Sequence, residues 1–177
     1  MENRMEASIE IRPEEECDFH AIRGILDAAF GGPVEARLVE LLRQRGKAVV
    51  ALVARLEGQV VGHVLFSPVS VEVAPASFRG VGLAPLAVTP EFQNQGIGIR
   101  LTQAGLAACR ELGYEAAVVL GHPDYYPRFG FERASLYGLS NEYGEDEAFM
   151  AMELRPRGLE GVRGLVKFAS EFNEVGC

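Results

Sequence analysis

Residues 80–113 constrain this chain more than any other stretch. "GVGLAPLAVTP" is an apolar run that reads as a strand stopped by Pro90. Soon after it, Ile97, Leu101, Ala104, Ala108 and Leu112 fall on one helical face, with Arg100, Gln103, Arg110 and Glu111 on another. Gly113 ends that helix. Between strand and helix lies "EFQNQGIG", with Gly96 and Gly98 one residue apart. Free backbone N–H groups and the positive end of a helix converge at such a junction, which suits an anion, and glycines let it approach without a Cβ in the way. The same geometry serves equally as a bare turn, and the glycine pair alone does not separate the two readings.

Two nucleotide readings fail on the residues themselves. A dinucleotide fingerprint needs a third glycine three positions after Gly98, where Leu101 stands. A phosphate loop of nucleotide hydrolases needs Gly-Lys-Ser/Thr, whereas Gly98 is followed by Ile99 and Arg100.

The flanking sequence supplies a framework for the junction. "SIEIRP" alternates as a short strand, and Glu14, Glu15 and Glu16 are expected in the first turn of a helix, where carboxylates complement the dipole. Ile22, Ile25, Leu26 and Phe30 give that helix an apolar stripe, broken by Gly31-Gly32-Pro33. A second helix, "VEARLVELLRQRG", ends at Gly46. "KAVVALVARLEGQVVGHVLFSPVSVEV" then reads as two paired strands with a turn at Glu57-Gly58. "YEAAVVLG" is a continuous apolar run, as in a strand buried on both faces, and "AFMAMEL" is expected to be the last strand. This order of elements implies a mixed sheet with helices packed on it.

Length and charge narrow the function classes. The 177 residues, 48% hydrophobic and 24% charged, suit one globular domain. The formal charge of -8 disfavours a nucleic-acid partner and favours cationic ligands. "MENRMEASIE" has neither a basic nor an apolar leader segment, and no apolar run approaches the ~18 residues that span a bilayer, so a cytoplasmic protein without a membrane partner is expected. Cys17, Cys109 and Cys177 are odd in number and far apart, which gives neither disulfide nor metal-ligand spacing; no metal is expected.

The longer string "LAVTPEFQNQGIGIRL" resembles the pyrophosphate-binding signature of the GNAT superfamily of N-acetyltransferases, carried by Val88, Pro90, Gln93, Gly96, Gly98 and Leu101. "YYPRFGF" is similar to that family's Tyr-x-x-x-Gly-Phe element, with Tyr126, Gly130 and Phe131 in register. "DYYPRFGF" and the closing "VRGLVKFASEF" further resemble its small bacterial YhbS-like branch. The resemblance implies the acyl-CoA N-acyltransferase fold. This is an α/β (α+β) arrangement with a mixed, mostly antiparallel sheet, two central splayed parallel strands and flanking helices. One domain over 1–177 is expected, with its core at about 8–155 and a C-terminal extension at 156–177.

The same resemblance implies acetyl-CoA as cosubstrate and a primary amine as acceptor, which attacks directly in a ternary complex. Cofactor contacts are then expected from Leu86, Ala87, Val88, Gln93, Asn94, Gln95, Gly96, Ile97, Gly98, Ile99 and Tyr126. A backbone N–H near Val88 would hold the acetyl oxygen as charge builds there. An ammonium of pKa ~10.4 must lose a proton, costing about 4.6 kcal/mol at pH 7, and a thiolate of pKa ~8.5 must gain one, nearer 2 kcal/mol. Tyr126 holds the family's general-acid position, and a phenol suits that step. Pro127 after it biases its backbone away from helical dihedrals, which leaves Tyr125 as a substitute. Candidates for the base are His122, Asp124, Glu153, Glu72, His63 or a water chain. Glu142, Glu145, Asp146 and Glu147 form an acidic loop that is either simply solvated or attracts a cationic small-molecule or peptide amine. Competing readings are a CoA-binding sensor that lost turnover and an acyltransferase for longer acyl groups. The protein is expected to be a monomer or homodimer.

Overall fold

Two consecutive residues in the left-handed region, Glu57 (φ 49°) and Gly58 (φ 82°), close the tight hairpin that the sequence placed there. They join β2 (Val50–Leu56) to β3 (Gln59–Val73), the longest strand of the computed structural model, which describes residues 8–177. Before them come β1 (Ile9–Pro13), α1 (Phe19–Phe30) and α2 (Val34–Gln44). After them come β4 (Gly80–Val88), α3 (Ile97–Glu111), β5 (Ala116–Leu120), β6 (Glu132–Arg133), β7 (Leu139–Asn141), β8 (Phe149–Glu153), β9 (Arg163–Lys167) and α4 (Ser170–Val175).

The strands form one mixed sheet in the order β1-β2-β3-β4-β5-β8-β6, with β9 pairing the far end of β3 and β7 pairing β9. Neighbours on the main path run antiparallel except β4 and β5, which are parallel. Those two are hydrogen-bonded only from Gly80↔Ala116 to Gly82↔Val118 and have no partner on each other beyond that point. The sheet therefore opens into a wedge between the C-terminal half of β4 and the end of β5. Helix α3 covers one face over Val64, Phe66, Val81 and Leu83, while α1 and α2 cover the other over Val53, Leu65 and Ala87.

Three sequence expectations change in the structure. Leu112 does not continue the apolar face of α3; it is 51% exposed, and the buried row runs through Ile97, Leu101, Gly105 and Cys109. Gly105 belongs to that row because Phe66 lies where a Cβ would go, 2.3 Å from the ring edge. The acidic run does not open a helix. Glu14 is a half-buried partner of Arg43 on α2, with Nε–Oε2 at 2.9 Å, and a short 3-10 turn over Glu16–Asp18 precedes α1. Finally, "AFMAMEL" is not the last strand, since β9 and α4 follow it. The carboxylate of Glu171 on α4, fully buried, ties that helix to Arg45 (3.1 Å) and Lys47 (2.9 Å).

Candidate active site

The wedge holds two adjoining cavities that share Leu86. The first, about 500 Å³, lies at the N-terminus of α3 and is lined by Leu86, Val88, Gln93, Asn94, Gly96, Ile97, Gly98 and Ile99, together with Phe92, Tyr125 and Arg128. Local sequence explains its floor. Pro90 ends β4, and Asn94 (φ 61°) and Gly96 (φ 81°) take left-handed conformations that turn the chain onto the helix. Gln93 Nε2 donates to the Val88 carbonyl at 3.1 Å, which locks the turn against the strand.

The first helical hydrogen bond of α3 runs from Arg100 N–H to the Gly96 carbonyl, and no side chain caps the helix. The amides of Ile97, Gly98 and Ile99 therefore have no intrahelical acceptor, and their residues line the cavity. The strand edge opposite is also free. Thr89 N–H donates to Val61 on β3, so the alternation of an antiparallel strand turns the N–H groups of Val88 and Leu86 toward the wedge. These donors, the Arg128 guanidinium and the positive end of a 15-residue helix suit a phosphate-bearing ligand with an amide-containing arm. A Cβ on Gly98 would stand 3.0 Å from the Tyr125 hydroxyl, so the bare backbone there has a steric reason as well.

The second cavity, about 510 Å³, opens on the other side of Leu86. Its lining includes Leu83, Leu120, His122, Tyr126, Glu35, Glu145, Phe168 and Phe172. Tyr126 is 8% exposed. Its ring lies over Gly121, where a Cβ would come within 2.4 Å of it, and packs edge-on against Tyr125 (5.0 Å) and Phe131 (5.7 Å). Burial raises both the Tyr126 and Tyr125 phenols above their ordinary range, so each remains a proton donor at neutral pH.

The residues expected from sequence divide by position. Eight of the strand, turn and helix residues line the first cavity, whereas Ala87 faces the α1 side and Gln95 lies outside the lining. The two tyrosines part company, Tyr125 lining the first cavity and Tyr126 the second. Among the candidate bases, His122 alone lines a cavity. Glu153 and Glu72 accept backbone N–H groups from Leu159 (3.3 Å) and Leu165 (3.1 Å), and Asp124 lies outside both linings. His63 is fully buried, 3.7 Å from Glu14, and burial lowers its pKa. It is a core residue, paired with Ala87 across β3 and β4, and lines neither cavity. Sequence reasoning missed Arg128, Phe92 and Glu35. Arg128 sat inside a quoted motif as an unassigned position, and Glu35 sat on a helix read only for its apolar face.

A wedge between parallel strands, with an uncapped glycine-started helix at its mouth, defines an acyl-CoA-dependent acetyltransferase scaffold, and the chain belongs to the GNAT family of acetyltransferases. The family model described as "Acetyltransferase (GNAT) domain" matches residues 10–134. Among curated proteins, the uncharacterized N-acetyltransferase YhbS of Escherichia coli K12 is 41% identical over 165 residues, covering 92% of this chain and 98% of YhbS. The crystal structure of E. coli YhbS in complex with CoA superposes with a TM-score of 0.90 at 38% identity, covering 98% of this chain and 96% of that one. A GNAT acetyltransferase from Brucella melitensis, solved in complex with acetyl-CoA, gives 0.77 at 33% identity, covering 94% and 99%. No helix among the described residues is long and apolar enough to cross a membrane.

Proposed function

We propose that the chain binds acetyl-CoA in the first cavity and passes its acetyl group to a primary amine held in the second. The observation that carries this reading is the pair of cavities meeting at Leu86, one lined by free helix amides and the other by a buried phenol. The CoA and acetyl-CoA complexes of the two relatives above support it. Bound there, acetyl-CoA supplies a thioester carbonyl for the amine to attack and a thiolate that leaves.

The protein's own groups then have distinct tasks. The amides of residues 97–99 and Arg128 hold the pyrophosphate end. The free edge of β4 aligns the amide arm, and the N–H of Val88 faces the wedge, where a fixed donor stabilises the oxygen that becomes negative. Tyr126 Oη gives its proton to the departing sulfur. His122, or water ordered beside it, takes the proton from the acceptor ammonium. The Cys109 thiol is buried on α3, where burial raises its pKa to about 12, and Cys177 lines the second cavity, where burial also raises its pKa, so neither is an activated nucleophile and direct attack by the amine is the route proposed. The three unpaired cysteines favour a reducing, cytoplasmic setting.

The test is release of free thiol from acetyl-CoA across a panel of amines, with the acetylated amine identified by mass spectrometry. Amine-dependent release supports the transferase. Tight CoA binding without release by any amine would point instead to a sensor of the same fold.

A further inference from the structure

The second cavity has walls that discriminate among amines. Phe30 and Leu38 come from α1 and α2, Leu83 and Leu120 from the two splayed strands, and Phe168 and Phe172 from the residues around α4. At its mouth Phe30 is 45%, Leu120 37% and Tyr143 38% exposed, so three of the large apolar or aromatic groups that the fold leaves in water gather at one opening. Charge enters this apolar frame at Glu35 and Glu145, and neither carboxylate has a cationic or hydrogen-bonded side-chain partner among the described residues. Glu145 is held in place by its backbone. Asn141, 7% exposed, donates through Nδ2 to the Glu145 carbonyl at 2.5 Å, and its Oδ1 accepts from Tyr143 N–H at 2.9 Å. That turn presents Glu145 and Tyr143 together at the cavity. Glu145 is the only member of the acidic 142–147 run to line it besides the ring of Tyr143.

We infer that the acceptor is a primary monoamine with an aromatic-sized apolar body, bound by the Phe/Leu walls and steered by Glu35 and Glu145. This rests on the transferase reading above and names its substrate class. A polyamine has carboxylates to meet its second ammonium, but its slim chain leaves the Phe/Leu walls largely uncovered, and an aminoglycoside presses hydroxyls against walls that offer them no partner. A short alkylamine would leave the walls wet. The two unpartnered carboxylates attract the ammonium as it enters, and the rings supply the contact area for a phenyl-sized group.

The experiment compares phenethylamine, ethylamine and putrescine as acceptors at saturating acetyl-CoA, with free thiol detected. Phenethylamine should show kcat/KM at least about tenfold above ethylamine, the range expected for burying a phenyl-sized group, and above putrescine by a similar factor. Glu145→Gln and Glu35→Gln should each raise the KM for phenethylamine severalfold with kcat little changed, and the effect should shrink in high salt. Leu38→Ala should reduce the preference for phenethylamine over ethylamine, with CoA affinity kept as evidence of an intact fold. Equal or better use of putrescine would overturn this inference and leave the transferase assignment standing. Failure of all three amines, with no thiol release by any other amine, would overturn both.

Discussion

Replacing Tyr126 with phenylalanine removes one hydroxyl from the seam between the two cavities and little else. The ring is almost fully buried against Tyr125, Phe131 and Gly121, and phenylalanine keeps all of that packing. The hydroxyl donates to no group among the described residues, so its loss orphans no partner, and stability should change little. What disappears is a proton donor whose pKa burial holds above the usual tyrosine range, so wild-type activity should show no loss of this acid up to about pH 10. General acid catalysis is worth roughly 100- to 10,000-fold, and the moderate basicity of a thiolate places this case near the lower end. A 100-fold fall in kcat corresponds to about 2.7 kcal/mol of lost transition-state stabilisation. Steady-state kinetics with the best amine should show that fall, with CoA affinity by calorimetry unchanged. Tyr125→Phe is the contrast, because its hydroxyl faces Gly98 in the first cavity. It should raise the KM for acetyl-CoA and largely keep kcat. If Tyr125→Phe lost kcat while Tyr126→Phe kept it, the donor would be Tyr125. If both kept it, the thiolate would be protonated from water.

Three further outcomes follow from the same geometry. Gly96→Asp should weaken CoA binding roughly tenfold or more by calorimetry, since it adds a like charge beside the proposed phosphate site at about 1 kcal/mol per charge pair at ~4 Å in water; no atom crowds the new side chain, but φ 81° strains any residue other than glycine, so urea unfolding of the variant is measured in parallel. Gly105→Ala should cost about 1–3 kcal/mol in urea unfolding, because its methyl would enter the Phe66 ring in a filled core; an unchanged midpoint would mean that α3 slides freely. Acid should destabilise the fold through His63 and Glu14. Burial lowers the His63 pKa, so below about pH 6.5 the unfolded chain gains a proton that the folded chain refuses. Burial alone would raise Glu14, but its neighbours His63 and Arg43 outweigh that and lower it, so its contribution is lost as pH falls through its folded value. Denaturation at stepped pH should show stability falling by up to about 1.4 kcal/mol per pH unit from His63 below about pH 6.5, and by a further such slope from Glu14 only below about pH 4.5, with the upper part of the fall lost in His63→Leu.

The junction at residues 86–99 was legible in the sequence because its constraints are local. Proline ends a strand, glycine reaches a left-handed dihedral, and a helix start exposes its own amides, so the floor of the first cavity is a local matter, whereas Tyr125 and Arg128 reach it from some distance along the chain and Arg128 went unassigned. The second cavity was not legible, because its walls come from α1, α2, β4, β5 and α4, far apart in sequence. Glu35 and Phe172 carry no local mark of a common site. Leu112 misled because periodicity fixes an apolar row but not which row faces the sheet, and Phe66 decided that by requiring glycine at 105. Residues 163–167 escaped as a strand because only five alternate weakly, and their pairing with β3 and β7 is what defines them. His63, a candidate base from the sequence, instead lies fully buried in the core, with neither ring nitrogen hydrogen-bonded among the described residues and Nε2 3.7 Å from Glu14.

In the proposed reaction one wedge joins a CoA site to an amine site across Leu86. Its most direct test is a single-turnover reaction of the intact protein with acetyl-CoA carrying a labelled acetyl group, in the presence of phenethylamine and then of the wider amine panel. Label should appear on the amine in step with free CoA, with none left on the protein. Label retained on the protein, or released as acetate at the same rate with and without amine, would contradict it.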